Sequence, residues 1–129
     1  MEDKVQKLLR GQAELDRAKA QVSQILAIII GELNQIAKTA KIRNLPAVVF
    51  RDETQSLEWT TWLFSGGRFF IQVDDNRNTL FRHSGSEARF LELSAVMRIR
   101  ASLGYFVSQI PTKFPDVETA LKPYLEAAG

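Results

Sequence analysis

His83 is the only histidine of the chain, and it stands beside Ser84 and close to Ser86. A histidine next to hydroxyls is the raw material of nucleophilic catalysis, provided that the imidazole reaches the hydroxyl and a carboxylate orients the imidazole. Asp74 or Asp75 is within reach of such a role across a sheet. No nucleophile elbow surrounds either serine, however. Ser84 and Glu87 have the spacing of a helix capping box, and Ser86 is an equally good cap. The plainer reading is two caps and a strand-end histidine, and no catalytic residue is assigned.

Asp74, Asp75 and Glu58 form the densest carboxylate group. Oxygen ligands of this kind suit a hard cation, but the polar rim of a hairpin produces the same pattern, so no metal site is assigned. Gly66-Gly67 lacks the lysine and the following helix of a phosphate-binding loop, and neither a dinucleotide fingerprint nor a helical zinc-protease motif occurs. No cofactor is expected. The absence of cysteine removes disulfides, zinc thiolates, iron–sulfur clusters and thiol nucleophiles together.

Binding surfaces are better represented than reactive groups. Lys38, Lys41 and Arg43 make the only basic cluster, where cations also complement a helix C-terminus. Residues 45–104 carry seven Lys/Arg against seven Asp/Glu. That balance leaves no cationic groove for a nucleic-acid backbone, so a nucleic-acid partner is not expected. The aromatic residues cluster between Trp59 and Phe70.

Residues 3–40 read as one long amphipathic helix, with Gly11 and Gly31 as its weak points. Leu8, Leu15, Val22, Ile29 and Ile36 recur every seven residues, and no proline intervenes. Pro46 starts a change to β character. Four antiparallel strands are expected over 46–83, separated by Asp52–Ser56, by Gly66-Gly67 and by Asn76–Asn78. With Gly66-Gly67 as a two-residue tip, Phe64 faces Phe69 and Trp62 faces Ile71. The core face then holds Trp62, Phe64, Phe69, Ile71 and Val73, and Leu57, Trp59, Leu63 and Phe70 lie opposite. A second helix is expected over 86–110, with an apolar stripe of Ala88, Leu91, Ala95, Ile99, Leu103 and Phe106, ended by Pro111. A short helix over 116–127 follows, ended or restarted at Pro123. Strands segregated from helices define one α+β domain over 1–129. The order of elements loosely resembles that of type III secretion chaperones, small dimers that bind extended partners. Those are acidic and place a helix between their strands, so no residue is carried over.

Length then argues for a partner. A domain of this size is roughly 36 Å across, whereas a helix over residues 3–40 is about 57 Å long. The Leu8, Leu15, Val22, Ile29, Ile36 stripe is therefore expected to be a homodimer seam. Trp59, Leu63 and Phe70, with Arg68, are the candidate binding face for a protein or small-molecule ligand. Trp62, Phe69, Arg98, Arg100 and Tyr105 are the candidate lining of a pocket between the sheet and the second helix. A non-enzymatic interaction protein is the leading reading, ahead of a small-molecule-binding protein or enzyme. The longest strongly apolar run, Ile25–Ile30, is too short to cross a bilayer. No membrane role is expected, and a cytoplasmic location is.

Overall fold

A computed structural model describes residues 4–43, 45–63, 68–84 and 87–128. The element order is α1 (Lys4–Ala40), β1 (Leu45–Asp52), β2 (Leu57–Leu63), β3 (Phe69–Asp74), β4 (Thr79–His83), β5 (Ala88–Phe90), α2 (Val96–Lys113) and α3 (Glu118–Ala128). Short 3-10 turns at Leu93–Ala95 and Pro115–Val117 lead into α2 and α3. The class is α+β, with an antiparallel sheet in the order β1-β2-β3-β4-β5.

α1 is one unbroken helix of 37 residues. It stops where Lys41 takes a positive φ of 56°. Lys41 N then donates to Lys38 O at 3.3 Å and Ile42 N to Ala37 O at 2.9 Å. This pair of backward bonds caps the last carbonyls, and Ile42 closes over the core as the motif requires. The β1–β2 turn is held by Asp52, whose Oδ1 accepts from Thr54 N at 3.0 Å and Gln55 N at 3.2 Å. Asp75 does the same between β3 and β4, accepting from Arg77 N at 2.9 Å and Asn78 N at 2.8 Å. These two bonds are the first cause of a carboxyl held below the ordinary aspartate range, with Arg98 and Arg77 adding to it.

Among the described residues the sheet has five strands where four are expected from sequence, because residues 88–90 are extended. Phe81 pairs with Phe90 and His83 with Ala88. Ser84 does not cap a helix: its N–H donates to Glu87 O at 3.1 Å and closes the β4–β5 connection. Ser86 lies outside the described residues. The Phe81 and Phe90 rings sit 4.7 Å apart, and that cross-strand packing outweighs the helical spacing of Ala88, Leu91 and Ala95. The second long helix thus begins at Val96 and runs through Pro111 to Lys113. Pro111 withholds one N–H but does not break the last turn, which Phe114 N closes on Ile110 O at 2.9 Å. Pro123 likewise lies inside α3.

The register of β2 differs from the expected one by a single residue. Leu63 pairs with Phe69, Trp62 with Phe70 and Thr61 with Ile71. Phe64 and Gly66-Gly67 lie outside the described residues. Because side chains alternate, a one-residue slip moves the whole strand to its other face. Leu57, Trp59, Thr61 and Leu63 therefore point into the core with Phe69, Ile71 and Val73, and Trp62 points away.

All the helix packing falls on that inner face. Val22, Leu26, Ile29, Ile30, Leu33 and Ala37 of α1 meet Ile99, Leu103, Phe106, Val107 and Ile110 of α2 over the sheet, and Val117 and Leu121 complete the cluster. Trp59 is fully buried, stacked 4.2 Å from Phe106 at 12°. Its Nε1 donates to Ser102 Oγ at 2.7 Å, which satisfies the one polar atom of the indole. Asn34 Oδ1 accepts from Phe69 N at 2.8 Å and ties α1 to the start of β3.

Candidate functional site

Among the described residues, two surfaces stand out as uncovered by the chain's own packing. The first is the outer face of the sheet. It carries Thr60, Trp62, Phe70, Gln72, Asp74, Arg82 and Arg89, since these alternate with the buried positions of β2 to β5. Trp62 and Phe70 are half-buried register partners, with rings 5.3 Å apart and 12° from parallel. Gln72 lies in the next row. Its Oε1 accepts from Nε and Nη2 of Arg82 at 3.1 and 2.8 Å, while its Nε2 donates to the Asp74 carboxylate at 3.0 and 3.1 Å. Next to the aromatic pair is a cleft of about 230 Å³ lined by Phe70, Arg82, Ser84, Glu87, Arg89 and Leu91.

The candidate binding face is corrected accordingly. Trp59 and Leu63 are core residues, whereas Phe70 lies on the outer face and Arg68 is exposed where β3 begins. Trp62 takes the place assigned to Trp59. Arg89 and Leu91 escape a reading that makes residues 86–110 a helix.

The second surface is the first half of α1. The earliest buried residue of the helix is Ala18. Before it, Val5, Leu8 and Leu9 are 58%, 73% and 64% exposed, and Leu15 is half-buried. The stripe expected as a dimer seam is therefore divided. Val22 and Ile29 are fully buried against this chain's own α2 and sheet, and Ile36 is packed beside them, so these three are core. Leu8 and Leu15 stand on a helical arm that projects past that packing. α2 has 18 residues, about 27 Å at 1.5 Å per residue, against about 55 Å for α1.

The pocket expected between sheet and α2 is filled by the Trp59–Phe106 stack, and its candidate residues do not converge. Trp62 points away from α2. Phe69 is buried 5.8 Å from the Phe114 ring. Arg98 donates to Gln55 O at 3.1 Å and lies 3.7 Å from Asp75 Oδ2. Arg100 donates to Gln21 Oε1 at 3.0 Å. Tyr105 is half-buried near Asp52, and burial followed by the Asp52 and Glu53 charges raises its pKa. Arg100 instead lines a cleft of about 230 Å³ among the helices, with Gln21, Ile25, Gly104, Val107 and Tyr124.

His83 is buried on the inner face of β4, where desolvation lowers its pKa. Glu58 pairs with Asp74 and not Asp75, and Asp75 is engaged in its turn. Among the described residues no group of three His, Asp or Glu is placed to hold a metal ion. Lys38, Lys41 and Arg43 are exposed at the end of α1. No described helix is long and apolar enough to cross a membrane. Comparison with protein-family models, with curated proteins and with solved structures gives no match for this chain.

Proposed function

We propose that this is a non-enzymatic binding protein that works as a homodimer, its copies pairing through the N-terminal arm of α1 and offering the Trp62–Phe70 sheet face to a ligand or partner. One observation carries the reading: α1 continues for fourteen described residues, Lys4–Arg17, with none of them buried by its own chain. A helix that short is marginal in water without packing, and Leu8, exposed, with Leu15, half-buried on the same side, leaves apolar surface that a second copy can cover. Light scattering after size exclusion tests the pairing. The expected mass is twice 14.6 kDa. Leu8→Glu with Leu15→Glu reduces it to one chain and leaves the thermal transition of the core in place. A single-chain mass for the unaltered protein at high concentration overturns the proposal.

A second reading, a small-molecule-binding protein, draws on the cleft among α1, α2 and α3 that ends at Arg100 and Tyr124. A nucleic-acid role through Lys38, Lys41 and Arg43 is weaker, because these are solvated residues at a helix end. Absence of salt-dependent retention on heparin removes it.

A further inference from the structure

We infer that the cleft beside Phe70 is an oxyanion site, built by Arg82 and Arg89 to take a phosphate monoester carried on a flat or aliphatic group. The inference rests on the outer sheet face being a binding surface, and not on the dimer. Arg82 and Arg89 are direct register partners on neighbouring strands, and both point outward. Like charges placed opposite one another weaken a sheet, and local compensation is slight. Arg82 is held by the neutral oxygen of Gln72, because the Asp74 carboxylate is engaged with the amide of the same Gln72. Arg89 has Glu87 at 3.8 Å, too long for a hydrogen bond, with both side chains 68% exposed. Such a contact is worth little. Among the described residues, one loose carboxylate thus stands against two guanidinium groups.

The cleft holds the rest of what such a ligand needs. Arginines bind phosphate oxygens through paired N–H groups. Gln72 takes the Nε and Nη2 edge of Arg82, which fixes the guanidinium over the sheet and leaves its Nη1 end for a ligand. Ser84 lines the same cleft and adds a hydroxyl donor, and Phe70 and Leu91 give apolar walls. Leu91 is 52% exposed, surface that an apolar group bearing the phosphate would cover. A volume of about 230 Å³ fits a small molecule and not a folded partner. Phosphate is favoured over carboxylate because a dianion matches two guanidinium groups.

The test is a titration of the full chain followed by amide NMR, with phenyl phosphate, benzoate and phenol as probes. Phenyl phosphate is expected to move resonances of Phe70, Arg82, Ser84 and Arg89 saturably. Arg82→Gln and Arg89→Gln each weaken that binding about tenfold while leaving the mass by light scattering unchanged. Arg89→Gln is also expected to melt about 1–4 °C higher, since the opposed charges are gone; a residue kept only for structure would melt lower. Benzoate binding as tightly as phenyl phosphate overturns the phosphate assignment and leaves the face a binding surface. Equal binding by both arginine variants puts the anion elsewhere and overturns the site. No shift with any probe overturns the site and leaves the sheet face to a macromolecular partner alone. Affinity that rises with the length of an oligothymidine replaces the small molecule with a single-stranded polyanion.

Discussion

His83 shows at the level of one residue how burial becomes pH dependence. The imidazole is 4% exposed, and desolvation holds its pKa below the ordinary 6.5. Between those two values the unfolded chain binds the proton and the folded chain does not, so stability falls as pH falls. The contribution is intact above about pH 6.5 and is lost as the pH drops through that value toward the folded one. The urea midpoint is expected to be flat from about pH 7 to 8 and to decline on acidification from about pH 6.5 to 5; His83→Leu flattens that decline. Asp75 acts lower, where protonation gives up its two turn bonds. Thr61 offers a second check. Its hydroxyl is buried in the middle of β2 with no hydrogen-bond partner among the described residues. Thr61→Val keeps the shape and removes the stranded group, and is expected to raise stability by about 1 kcal/mol in urea unfolding.

The elements owe their ends to local chemistry that single substitutions can reach. Lys41 occupies the left-handed position that closes α1, where a side chain costs about 1 kcal/mol relative to glycine. Lys41→Gly is expected to raise the unfolding free energy by about 0.5–1 kcal/mol, and a loss would mean that the Lys41 side chain itself holds the cap. The β2 strand carries the plainest lesson about register. Leu57, Trp59 and Leu63 alternate with Glu58, Thr60 and Trp62, and that pattern by itself points the first set inward. A turn placed at Gly66-Gly67 argues the other way. The buried area of two strands outweighs the preference of one turn, so the alternation prevails.

At the scale of the molecule, the length of α1 separates folding from association. Val22 is fully buried inside one chain, so Val22→Asp is expected to unfold the protein, with no native transition by circular dichroism, and not merely to split a dimer. Under the proposed pairing, the Leu8 and Leu15 variants are expected to change mass without abolishing folding. Measuring both distinguishes a seam that folds the chain from one that joins chains. If Leu8→Glu with Leu15→Glu also removes the native transition, the arm belongs to the folding unit.

The helix over the first forty residues, the polar turns over 52–56 and 76–78, and the α+β class were all legible in the sequence, because each depends on contacts between near neighbours. Periodicity, proline placement and Asx side chains act within a few residues of one another. Tertiary structure alone decided three things: which face of β2 is inside, that residues 88–90 join the sheet instead of α2, and that the heptad stripe of α1 is core from Val22 onward and not buried before Ala18. Each is set by a partner distant in the chain. Phe69 and Phe81 draw β2 and β5 into place across the sheet, and α2 covers α1 only as far as its 18 residues reach. Local spacing proposes a surface; what packs against it determines whether that surface is core or contact.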